Sequence, residues 1–165
     1  MVVQFAERAY EQCRSQHIQQ GSIDPTFIIE AGNDGFADEE LYERGQLFGL
    51  TIDASNEETK DSGMQVVHEW VRKLSAQKVL LYCEAWSWEI PDDLQVTDEE
   101  YERIKAQAHR REIISVGLFT PDNGWHTSAE IHRSKDGNFS LPDHIPTLVY
   151  QELTLQREGR FYPYD

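Results

Sequence analysis

The sequence predicts an α+β fold: one antiparallel or mixed sheet of about five or six strands, with two or three helices packed on a face of it. Three observations lead there. Apolar residues recur at steps of three and four over 2–17 and again after Ser55, as amphipathic helices require. The run Lys78 to Glu89 (KVLLYCEAWSWE) is apolar on both faces and reads as a central strand. Beyond residue 110, strand-like runs alternate with hairpin turns. The chain has 165 residues, so one domain over 1–165 is expected, domains clustering at roughly 100–150 residues.

In the first helix, Val2, Phe5, Ala9 and Cys13 form the stripe, Ala6 and Tyr10 lie beside it, and Gly21 fits a C-terminal stop. Asp24-Pro25 opens Thr26-Phe-Ile-Ile-Glu30, a β-branched and aromatic run that reads as a strand. Gly32-Asn-Asp-Gly35 signals a turn, Asp38 to Arg44 one or two helical turns, and Leu47 to Ile52 a strand. Ser55-Asn-Glu-Glu58 has the form of a capping box, opening a helix that carries Met64, Val67, Val71 and Leu74 and ends near Gln77.

Thr97-Asp-Glu-Glu100 is a second capping box, with a helix from about Asp98 to His109. Arg111 to Thr120 then reads as a strand, Pro121-Asp-Asn-Gly124 as a hairpin turn, and Trp125 to Ser134 as an alternating strand. Asp136-Gly137-Asn138 turns the chain again. Leu148 to Arg157 is a last long strand before the aromatic tail Phe161-Tyr-Pro-Tyr164, which would cover its own sheet or a neighbour's.

Charge is the most informative feature for function. The net charge is −15, from 15 basic and 30 acidic residues. Residues 31–62 hold nine acids against Arg44 and Lys60, net −7, and residues 84–102 hold eight acids and no base, net −8. Two blocks thus account for all of it. This balance argues against direct binding to nucleic acid or to an anionic membrane, both of which need a cationic patch. No apolar stretch reaches membrane-spanning length. The N-terminus, with neither basic region nor apolar core, is not expected to be a signal peptide. Two cysteines, Cys13 and Cys83, make no disulfide framework or zinc pattern, so a cytoplasmic setting is expected.

Chemistry-bearing motifs are sparse. Glu84 lies mid-strand on the side of Tyr82, Trp86 and Trp88, where a carboxylate needs a partner. Arg110 and Arg111, at the head of a neighbouring strand, are candidates; a structural ion pair of Glu84 with Arg111 is expected, with a general acid or base as the rival role. His126, Glu130 and His132 share a strand face, but four residues of strand, as from His126 to Glu130, already span ~13 Å, too far for one metal. His68-Glu69 begins a zinc-helix motif, yet Arg72 stands where the second histidine belongs. There is no Gly-x-Ser-x-Gly elbow and no phosphate loop, and Cys83 reads as core. No catalytic residue, cofactor or metal is expected.

At Pro25-Thr-Phe, Glu84-Ala-Trp86 and Arg111-Glu112 the sequence resembles a set of uncharacterised small α+β proteins of bacteriophages and mobile elements, over about residues 20–120. This chain departs from them by an acidic helix between Trp88 and Arg110. The resemblance implies a setting and no activity.

The function expected is therefore a non-enzymatic interaction protein, an inhibitor that offers its acidic surface to a basic, nucleic-acid-binding host protein. Its binding residues would be Asp38, Glu39, Glu40, Asp92, Asp93, Asp98, Glu99 and Glu102, with Trp86 and Trp88 as aromatic anchors. Arg103 and Lys105 would neutralise one end of that surface. Two rivals remain: a small enzyme pairing Glu84 with His109 or Glu112, and an accessory protein whose acidity serves solubility alone.

Overall fold

The computed structural model describes residues 2–32, 35–37, 40–87, 97–107, 111–151 and 161–164. In chain order the elements are α1 (Val2–Gln20), β1 (Thr26–Glu30), β2 (Gly35–Ala37), β3 (Glu40–Tyr42), β4 (Leu47–Thr51), α2 (Glu57–Lys73) and β5 (Lys78–Ser87). There follow α3 (Asp98–Gln107), β6 (Arg111–Phe119), β7 (Gly124–Glu130), β8 (His132–Arg133), β9 (Phe139–Ser140) and β10 (Val149–Gln151).

Six strands form one sheet in the order β10-β7-β6-β5-β1-β4, and every neighbouring pair is antiparallel. The fold is α+β. β5 sits near the middle, as its two-sided apolarity requires: Val79, Leu80, Leu81 and Tyr82 are all buried. Strand alternation divides them. Leu80 and Tyr82 join Ile28, Ile114, Val116 and Leu118 beneath Phe5, Ala6, Ala9, Tyr10 and Cys13 of α1. Val79 and Leu81 join Phe27, Ile29 and Phe119 beneath Met64, Val67 and Val71 of α2 and the adjoining Leu74. The helices therefore cover opposite faces, not one face as expected from sequence; a doubly apolar central strand needs cover on both sides.

Several boundaries differ from expectation, each for a local reason. Residues expected to make helical turns before Arg44 instead give β3, whose Leu41 stands opposite Phe36 of β2 in a short hairpin. The N-cap of α2 is Asn56, whose Oδ1 accepts the Thr59 N–H at 2.9 Å, while the Ser55 backbone N–H, which a capping box would give to Glu58, donates to Asp53 Oδ1. The same helix stops at Lys73 rather than near Gln77: Leu74 caps it, and Ser75 takes a φ of +47°. Gly32 approaches that end so closely that a Cβ there would lie 2.0 Å from the Ser75 carbonyl oxygen, and its N–H is bonded to the Leu74 carbonyl.

By contrast the second capping box forms as read, with Glu100 N–H on Thr97 Oγ1 and Thr97 N–H on Glu100. The strand expected over 125–134 divides at Ile131. Its N–H still bonds to the Glu112 carbonyl, but His132 and Arg133 leave the main sheet to pair with Ser140 and Phe139. The described part of the last strand is only Val149–Gln151, on the sheet edge beside β7. The tail returns to the α2 face of its own sheet, where Phe161, Tyr162 and Tyr164 pack and the His68 ring bonds to the Tyr162 carbonyl at 2.8 Å.

Candidate functional site

α1 supplies an unexpected component of the Glu84 site. The stripe of Cys13 continues four residues on to His17, which is completely buried in the last turn of the helix. Four-residue steps keep side chains on one helical face, so His17 faces the same sheet surface as Cys13, where β5 presents Tyr82 and Glu84. Its Nε2 meets Glu84 Oε1, and its Nδ1 lies 2.8 Å from the Tyr82 hydroxyl. An ionised carboxylate only accepts hydrogen bonds, so Nε2 carries the ring proton. In the neutral ring Nδ1 then accepts from Tyr82 O–H. A three-member chain results, running from phenol to imidazole to carboxylate.

Glu84 is the only member that reaches solvent, its side chain being 29% exposed. Phe139 of β9 lies against the His17 ring with centroids 5.1 Å apart. Beside it, Arg133 of β8 donates from Nε to Glu112 of β6 and places its guanidinium 5.0 Å from the Phe139 ring centre. Burial holds the His17 pKa below its ordinary value, outweighing the attraction of Glu84. Burial likewise pushes the Tyr82 phenol above its ordinary range, and the bond to Glu112 raises Arg133. A recess of about 370 Å³ opens along the β8–β9 hairpin, with Arg133, Asn138, Phe139 and Ser140 among its walls.

Glu84 thus has His17 as its partner, and the expected pair with Arg111 is corrected. The register explains why. Glu84 stands opposite Ile114 and Arg111 opposite Ser87, so Glu84 and Arg111 project from opposite faces of the sheet. Glu112 shares the Glu84 face, across from Trp86, but Arg133 already holds it. His109 lies outside the described residues. His17 and Arg133 both escape a sequence reading. For His17 the signal was present, as the next step of the apolar stripe.

On the opposite face Ser115 bonds to His126 at 2.9 Å beside Cys83, whose thiol burial pushes up to about 11. Burial lowers the His126 pKa as well. Among the described residues no group of three His, Cys, Asp or Glu side chains is placed to hold a metal ion, and no helix is long and apolar enough to cross a membrane.

The acidic surface is described in part. Asp98, Glu99 and Glu102 are exposed on the first turns of α3, as is Arg103. Glu40 lies in β3 by its backbone. Trp86 is 48% exposed at the far end of β5. Asp38, Glu39, Asp92, Asp93 and Trp88 fall outside the described residues. Comparison with protein-family models, with curated proteins and with solved structures finds no match.

Proposed function

We propose that the protein is a non-enzymatic interaction protein that engages a basic, nucleic-acid-binding partner through its negative surface. The observation that carries this reading is the start of α3. Asp98, Glu99, Glu100 and Glu102 are all exposed, within five residues that span roughly 6 Å of helix axis. Duplex DNA shows one charge per ~1.7 Å, so the first turns of α3 match its linear charge density. Carboxylates that stand in solvent act on a cationic groove as phosphates do. The resemblance to phage and mobile-element proteins supports a host defence factor as the partner.

The test is competition for a cationic protein that binds duplex DNA without sequence preference, read by anisotropy of a labelled duplex. The chain is expected to displace the duplex at low salt and to lose that ability steeply as salt rises. Neutralising Asp98→Asn, Glu99→Gln and Glu102→Gln should weaken displacement. Neutralising the equally exposed Asp122, Glu130 and Asp136 removes the same charge elsewhere and should weaken it far less. Equal loss from both triples would reduce the acidity to general solvation and overturn the reading.

A second reading, acid–base chemistry at Glu84, is favoured by one observation: its carboxylate is backed by a buried imidazole and faces solvent on its other side. In that reading His17, rather than His109 or Glu112, is the group that exchanges a proton with Glu84.

A further inference from the structure

We propose that His17 is a proton-operated latch that holds the last turn of α1 and the β8–β9 hairpin against the sheet above neutral pH and releases them in mild acid. In the neutral ring Nδ1 accepts the Tyr82 O–H, and Nε2–H lies against the Glu84 carboxylate. A second proton on Nδ1 turns that acceptor into a donor. Tyr82 must then accept, and its own O–H must point elsewhere. Tyr82 is completely buried, and His17 is the one hydrogen-bond partner of its hydroxyl among the described residues. One added proton therefore leaves a buried O–H unpaired and a buried imidazolium to be solvated.

The charged and titratable groups around the ring do not offset this. On α1 itself stand Tyr10 and Cys13, both pushed up to about 12 by burial and therefore neutral, and Arg14, which is turned to Asp143. β5 contributes Tyr82 and Glu84, while β6 and β8 contribute Glu112 and Arg133, which are engaged with each other. Glu84 and, more weakly, Glu112 favour the cation, but Glu84 is partly solvated and Arg133 opposes the attraction of Glu112. From β9 the ring meets Phe139, an apolar wall.

The sign follows. A histidine whose folded-state pKa lies below its unfolded value contributes stability that is complete above about pH 6.5 and is lost as pH falls below it. The loss is local, because His17 is the buried polar contact of the last turn of α1, and the first turns are held by Phe5, Ala6, Ala9 and Tyr10.

Amide hydrogen exchange between pH 7.5 and 5, corrected for the intrinsic rate, tests the latch. Protection in residues 16–20 and 132–140 should fall by up to about tenfold per pH unit below 6.5, while the β1 and β5 amides keep theirs. Ring nitrogen chemical shifts should show an Nε2–H neutral imidazole at pH 7. Glu84→Gln, which keeps an acceptor but removes the attraction for the cation, should leave the onset at about pH 6.5 and carry the fall in protection on to lower pH. His17→Phe should abolish the pH dependence in these segments while leaving that due to His126. A charged His17 ring at pH 7, or protection in 16–20 that does not change with pH, would overturn the proposal even if the phenylalanine variant fails to fold.

Discussion

Glu84 and the carboxylates of α3 belong to one base-free stretch of sequence and do opposite things. Glu84 is drawn into the sheet, meets His17 and is two-thirds covered. Asp98, Glu99 and Glu102 stand in solvent a few residues later. The difference lies in what surrounds each. Glu84 follows a strand whose apolar residues fix its face before its charge is considered. The α3 acids follow a capping threonine, and a helix start favours negative charge without needing a partner. A run of like charge is therefore two features here, one that serves the fold and one that serves the surface.

If that division holds, variants of the two groups separate stability from binding. The largest effect is expected from His17→Ala, which empties a fully buried site and strands both Tyr82 and Glu84. Urea unfolding at pH 7.5 should show a loss of about 3–5 kcal/mol, the range for truncating buried aromatic side chains. Glu84→Gln keeps the shape and loses the charge-assisted part of the bond, costing about 1–3 kcal/mol. The α3 triple Asp98→Asn, Glu99→Gln, Glu102→Gln should cost about 1 kcal/mol or less, the weakened helix-dipole contribution of exposed acids. A triple variant less stable than Glu84→Gln would erase the comparison. Trp86→Ala sharpens it from the other side: its exposed ring should matter little to displacement of DNA if carboxylates make the contact.

Much of the fold was legible because strands and helices announce themselves by period. The runs 26–30, 47–52, 78–89 and 111–120 all contain strands of the main sheet, since alternation and β-branched composition depend only on neighbours along the chain. The placement of α1 and α2 on opposite faces was written into the doubly apolar β5, yet a single-face arrangement was read. The partner of Glu84 was not legible. Whether Arg111 or Glu112 shares its face depends on the β5–β6 register, which a one-residue slip reverses. His17 was hidden by its type: a stripe of Val, Phe, Ala and Cys was read as ending where its next member is polar. Arg133 was hidden by the break at Ile131, which carries it out of the main sheet and over Phe139. The α3 acids were legible because a capping box and an exposed helix face are local.

The most direct test of the central claim places Glu84→Gln and the α3 triple side by side, each measured for urea stability and for displacement of duplex DNA from the same cationic protein at low salt. The account predicts a crossed result. Glu84→Gln loses stability and displaces DNA as well as the parent chain, whereas the α3 triple stays stable and displaces it poorly. Displacement lost in Glu84→Gln while the folded fraction stays near complete, with the α3 triple unimpaired, would move the function from the acidic surface to the Glu84 site and contradict the account.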